Sequence, residues 1–149
     1  MTRWAWARDA ATAAGLLRRM YPGTPVYLLG ESMGAAVAIV AMAGESGTPR
    51  PDVDGVILTA PAVWGRRTMD LLPRLALWAG VRLMPEERFT GGSLHILASD
   101  NIPMLLALGR DRLVIHDTEV ATIYGLVNLM DAALRSAPLL DVPLFVQYG

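Results

Sequence analysis

Gly30-Glu31-Ser32-Met33-Gly34 sets a serine between two glycines, at the exit of the apolar run Val26-Tyr27-Leu28-Leu29 and the entry to a stretch of small residues ending at Ala43. A strand that turns at once into a helix can hold a serine hydroxyl outward on a sharp turn. Its backbone then sits in a sparsely populated conformation, at roughly 1–3 kcal/mol. Glycines two residues to either side leave room where strand and helix crowd the turn. The first helical turn aims free N–H groups and the positive dipole end at the same spot, where an oxyanion would develop. The chemistry such an arrangement serves is acyl transfer. Ser32 is the candidate nucleophile, and the Met33 backbone N–H is one oxyanion donor, with Gly30, Glu31 and Gly34 framing the turn. Glu31 is expected to point away along the turn rather than act as a base. The competing reading is a glycine-bounded turn whose serine merely caps the helix.

Few other residues are candidates for chemistry. His95 stands in Ser93-Leu94-His95-Ile96, and His116 just before the last long helical stretch. Neither follows a strand, and both read as packed or surface residues. Asp70 is a conceivable acid, but it fits better in the first turn of a helix, where a carboxylate favours the N-terminus. Asp111, Asp117 and Asp131 read as solvated helix or loop charges. No His/Asp/Glu cluster has metal-ligand spacing, so no metal is expected. With no cysteine, disulfides and thiolate metal or redox sites are excluded within this chain. Thirteen basic and fourteen acidic residues, net −1, give no footprint for nucleic acid and no polybasic membrane patch.

Alternating elements surround the serine. Trp6, Ala10, Ala13, Leu17 and Met20 repeat at helical spacing, predicting a first helix over about residues 5–20, which Tyr21-Pro22-Gly23-Thr24-Pro25 ends. The strand at 26–29 follows, then a helix over 33–43 stopped by Gly44. A surface loop at 45–54 leads to a second buried strand, Val56-Ile57-Leu58-Thr59-Ala60, closed by Pro61. Strand, helix, strand at this spacing implies two adjacent parallel strands. A third strand covers 142–148. The apolar runs read as strands covered on both faces. Between the second and third strands lie helices at about 68–83 and 118–136, with a short turn near 102–108. Thr118 is the expected N-cap of the last, whose apolar face is Val120, Ile123, Val127, Met130 and Leu134. Trp64, Met69, Leu72, Trp78 and Met84 could line an acyl pocket, although their spacing favours the core of this insertion. Trp4 and Trp6 would face a neighbouring helix or further strands. No run reaches the roughly 18 apolar residues of a membrane span, and residues 1–20 lack a signal-peptide layout.

The runs Leu28 to Ala35, Val56 to Ala62, and Val142-Pro143-Leu144 through Tyr148-Gly149 resemble the serine aminopeptidase-like, monoacylglycerol-lipase-like branch of the α/β-hydrolases. The resemblance covers nearly the whole chain but only the central third to half of such an enzyme. It implies a partial α/β-hydrolase fold: a parallel sheet of about three strands with flanking helices, residues 1–149 forming one partial domain and 64–117 a helical cap inserted into it. It implies a nucleophile elbow at Ser32, hydrolysis of carboxylic esters such as monoacylglycerols and lysophospholipids, and no cofactor. In that branch the acid follows a strand like the one ending near Gly149, the histidine comes later, and the second oxyanion amide lies upstream of Met1.

Two readings follow. In one, the chain is the central piece of a serine ester hydrolase whose acid and base lie outside it. In the other, it is a non-catalytic remnant or a subunit completed by another chain. A sheet of two or three strands with open edges and an uncovered apolar face is an aggregation hazard, which favours the first. The expected partner is a small ester or lipid-like substrate. Oligomeric state and compartment stay open, the cytoplasm being the first expectation.

Overall fold

In the computed structural model, which describes residues 3–44, 47–90 and 99–148, helices and strands alternate from the start. In chain order they are α1 (Arg3–Met20), β1 (Tyr27–Glu31), α2 (Met33–Ala43), β2 (Gly55–Thr59), α3 (Leu71–Leu83), β3 (Arg88–Thr90), α4 (Ile102–Arg110), β4 (Asp117–Glu119) and α5 (Val120–Ser136). A short 3-10 helix, Ala137–Leu139, and β5 (Leu144–Gln147) complete the chain. Two compact units result: Met1–Asp70 with Gly125–Gly149, and Leu71–Tyr124.

The first unit is built on a parallel sheet of order β1-β2-β5. Tyr27 pairs with Gly55 and Glu31 with Thr59, while Val56 pairs with Leu144 and Thr59 with Gln147, so the three strands end level. Val56 and Leu58, alternate residues on one face of β2, join Ala35, Ala36, Ala38, Ile39, Val40 and Met42 of α2 and Leu129, Ala132 and Ala133 of α5 in a single buried cluster. Small side chains let α2 lie close to the sheet, and Gly44 ends it in the left-handed region (φ 65°), its N–H donating to the Ala41 carbonyl at 3.1 Å.

Helix α1 packs on this cluster through a different stripe from the one its hydrophobic spacing suggests. Ala7 and Ala14 are buried, whereas Ala13, Leu17 and Met20 are exposed. Close approach to the alanine-rich α2 selects the small residues. Trp4 and Trp6 pack against the same cluster. The continuous apolar runs are covered only at the middle strand. Val56 and Leu58 are buried, but Tyr27 and Leu29 of β1 and all four residues of β5 are exposed, Phe145 by 62%. Edge strands lack a neighbour on one side, so β-rich hydrophobicity there does not translate into burial.

Two arginines fasten the ends of these elements. Arg18 ion-pairs with Asp54 at 2.8 Å, and the Asp54 carboxylate also accepts the Val26 N–H at 2.7 Å. The Arg18 guanidinium, and after it the Val26 amide, hold the Asp54 carboxyl below the usual carboxylate range. Arg50 donates to the carbonyls of Met42 and Leu139 and to the Asp141 carboxylate, joining the end of α2 to the approach to β5.

The second unit contains an antiparallel pair that periodicity did not reveal. Arg88 faces Glu119 and Phe89 faces Thr118. Thr118 is therefore a strand residue rather than an N-cap, and α5 starts two residues later. Three-residue strands are too short for an alternation signal. Arg88 bonds Asp117 at 3.4 Å and Glu119 at 3.1 Å, and these two carboxylates raise its pKa. The expected short turn at 102–108 is a full helix, capped by the Asn101 side chain accepting from Met104 N–H at 3.1 Å. Neither α3 nor α4 has a buried residue. Of the five residues expected in a core here, Leu72, Trp78 and Met84 are exposed, Leu72 by 80%, while Trp64, exposed, and Met69, half-buried, lie in the first unit. Arg82 instead covers Trp78, its guanidinium 4.2 Å from the ring centroid.

Candidate active site

Ser32 stands between β1 and α2, at the carboxyl edge of the sheet where ligands of open parallel sheets bind. Its φ and ψ are 51° and −114°. The strained serine turn anticipated from the glycine spacing is present. Among the described residues one other non-glycine has positive φ, Ala60 (43°), at the matching end of the neighbouring strand β2.

Both backbone groups of Ser32 are tied to that neighbour. Its N–H donates to the Thr59 carbonyl at 2.9 Å, and its carbonyl accepts the Ala62 N–H at 3.0 Å as well as Ala35 N–H at 3.2 Å from α2. Ser32 occupies the N-cap position of α2, but its hydroxyl makes no capping bond to the helix. The residue is exposed.

The two glycines of the pentapeptide do different things. A Cβ on Gly30 would stand 2.6 Å from both the Ala35 Cα and the Gly34 carbonyl oxygen, backbone atoms that cannot rotate aside. At Gly34 a Cβ would meet nothing within 4 Å. Of these two glycines, crowding therefore requires only the first. Glu31 is exposed at the end of β1, in register with Thr59. Met33 is half-exposed, and its N–H is the first of the helix, one of the donors that a helix cannot satisfy internally.

Among the described residues, the exit of β2 adds neither a carboxylate nor a free backbone donor. It reads Ala60-Pro61-Ala62-Val63. Ala60 N–H bonds Gln147, Ala62 N–H bonds Ser32, Val63 N–H bonds Pro61, and proline has no N–H. The remaining candidates lie elsewhere. Asp70 is exposed immediately before α3, which starts at Leu71, so it precedes the first turn in which it was expected. His116 is exposed in the second unit, its Nε2 3.3 Å from the Asp111 carbonyl. His95 lies outside the described residues. Asp111 accepts the Leu113 N–H and Asp117 pairs with Arg88. Asp131 is not a solvated charge: its side chain is 14% exposed and engages both the backbone and the guanidinium of Arg66. Contacts between segments so far apart carry no signature in sequence. Among the described residues no group of three or more His, Asp or Glu could hold a metal, and no helix is long and apolar enough to cross a membrane.

Comparison with known proteins places this geometry. The family model described as "Serine aminopeptidase, S33" matches residues 4–149. Among solved structures, the monoacylglycerol lipase of Paleococcus ferrophilus superposes with a TM-score of 0.64 at 17% identity, over 94% of this chain and 52% of that one. A soluble variant of monoglyceride lipase from Saccharomyces cerevisiae, in complex with a substrate analog, gives 0.66 at 14% identity, over 94% and 48%. A structure reported for LipS and LipT, two metagenome-derived lipolytic enzymes, gives 0.61 at 18% identity, over 98% and 51%. At these identities the likeness is one of fold, and the chain spans about half the length of each.

Proposed function

The chain belongs to the serine aminopeptidase family of α/β-hydrolases, and from that membership we propose that it carries the nucleophile of a serine hydrolase acting on lipid-like carboxylic esters. The observation that carries the proposal is the strained, exposed Ser32 at the carboxyl edge of a parallel sheet, its hydroxyl uncommitted to the helix behind it. In this reading Ser32 Oγ attacks the ester carbonyl carbon while a base takes its proton. The oxygen that becomes negative is met by the Met33 N–H and the dipole of α2. Collapse of the tetrahedral species breaks the ester C–O bond, and the alcohol leaves with the proton returned by the base. Water then attacks the acyl-serine, releasing the carboxylic acid and restoring the hydroxyl.

The reading assigns the triad acid, the base and the second oxyanion donor to chain beyond these 149 residues. It is supported, among the described residues, by the absence of a carboxylate in the turn after β2 and by the commitment of the amides there. Residues 64–117, which fall in chain order between β2 and β5, are read as the cap insertion. Exposed Leu72, Trp78 and Leu106 on its helices offer the apolar surface an acyl chain requires.

The test uses the protein encoded by the full coding frame around this chain, assayed on monoacylglycerols and nitrophenyl esters. Ser32→Ala is expected to lower kcat about a thousandfold or more. The 149-residue chain alone is expected to hydrolyse nitrophenyl butyrate no faster than its own Ser32→Ala variant. Full activity in the Ser32→Ala protein would refute the nucleophile assignment.

A further inference from the structure

We propose that Asp131 of α5 is a positioning residue for Ser32, acting through the loop that leaves β2. The inference rests on the reading of Ser32 as the nucleophile and extends it to a residue remote in sequence.

The argument starts from what holds the serine. A φ of 51° is uncomfortable for a residue with a Cβ, and it persists only where the surroundings over-determine it. The determinants outside α2 are the Thr59 carbonyl and the Ala62 N–H, one on each side of a turn that is itself strained at Ala60. One strained turn cannot stabilise another unless something else anchors it. One anchor is the Gln147 carbonyl of β5, which accepts the Ala60 N–H at 2.8 Å, and a second lies a few residues on. One oxygen of the Asp131 carboxylate accepts the Arg66 backbone N–H at 2.7 Å, and the other meets the Arg66 guanidinium. Gly65 is buried against the same carboxylate, in the space where a Cβ would collide with it. The Gly65 carbonyl accepts both the hydroxyl of Thr68 at 2.8 Å and its N–H at 3.1 Å, closing the loop. Residues 59–66 are thus tied to Ser32 at one end and to Asp131 at the other.

Asp131 suits the task because its support is rigid. Its neighbours Met130, Ala132 and Ala133 are buried, the last two in the cluster that also holds α2. The carboxylate is shielded, so its bonds to Arg66 are stronger than those of an exposed pair. The helix that packs behind the elbow and the loop that fixes its serine are therefore referenced to one core.

Amide hydrogen exchange by NMR on the full-frame protein tests this, comparing Ser32 and Ala62 with the core amides of Val40 and Leu129. In Asp131→Ala, Ser32 and Ala62 are expected to exchange about tenfold or more faster relative to those core amides, since a charged hydrogen bond to the loop is lost. Asp131→Asn keeps an acceptor for the Arg66 N–H and loses the ion pair, giving a relative gain of about threefold; it decides the question if Asp131→Ala does not fold. In the full-frame protein the same variants are expected to lower kcat and leave KM for a soluble ester unchanged. Protection lost equally at Ser32, Ala62 and the core would make Asp131 merely structural and overturn the proposal. Activity surviving Ser32→Ala would sink the nucleophile reading instead, with the exchange result still deciding the clamp.

Discussion

Substituting the two elbow glycines one at a time separates crowding from conformational preference. At Gly30 a new Cβ lies 2.6 Å from the Ala35 Cα and the Gly34 oxygen and 2.7 Å from the Ala35 nitrogen. Carbon contacts settle at about 3.5–4.0 Å, so the start of α2 must move away from β1 by about 1 Å. That displacement strains the Ser32 bonds to Thr59 and Ala62 as well. Overpacking of this kind costs about 1–3 kcal/mol. At Gly34 the space is open, and alanine in a helix is favoured over glycine by about 0.5–1 kcal/mol. For a chain of this length each kcal/mol moves Tm by about 2–4 °C. Gly30→Ala is therefore expected to lower Tm by about 2–12 °C, and Gly34→Ala to raise it by about 1–4 °C. Differential scanning calorimetry of the two variants beside the parent reads both. Shifts of the same sign would refute the claim that only the first glycine is sterically required.

Further outcomes follow from the packing and the ion pairs. Leu129, 1% exposed among α2 and β2 side chains, is expected to cost about 2–5 kcal/mol when truncated to alanine, measured by urea denaturation. Because the Asp54 carboxyl is held below its unfolded value, its stabilising effect is present above the ordinary carboxylate pKa and is lost as pH falls through the folded one. Asp54→Asn is expected to flatten that acid limb of a Tm-against-pH curve, and an unchanged limb would contradict the assignment. Arg50→Met removes donors from the Met42 and Leu139 carbonyls and is expected to destabilise by about 1 kcal/mol in the same denaturation assay.

Much of the first unit was legible in sequence because its signals are local. A glycine-framed serine between an apolar run and a small-residue helix reports a strand-turn-helix, and Gly44 and Pro61 mark stops that the structure keeps. The alternation of β1, α2 and β2 gave the parallel pairing. Contacts between distant segments were not legible. The hydrophobic spacing of α1 suggested Leu17 and Met20 as part of its inner face, but the structure buries Ala7 and Ala14, with Trp4 and Trp6 partly buried against the same cluster. Nothing near Asp131 indicates that Arg66 lies against it, and the pairing of Arg88 with Glu119 is too short to leave a period. The tryptophans and leucines of α3 show the limit of periodicity: helical spacing predicts a helix, and burial depends on what else is present.

The tethers of Ser32 also fix an order of events in folding. Helix α2 can form from its own sequence, but the turn before it is held by Thr59 and Ala62, which arrive only when β2 docks beside β1. Contacts made that late contribute little to the folding transition state, so the strain they hold is expressed chiefly in the unfolding rate. The elbow is consequently expected to be among the last parts of the sheet edge to set, and substitutions that loosen its tethers are expected to speed unfolding more than they slow folding.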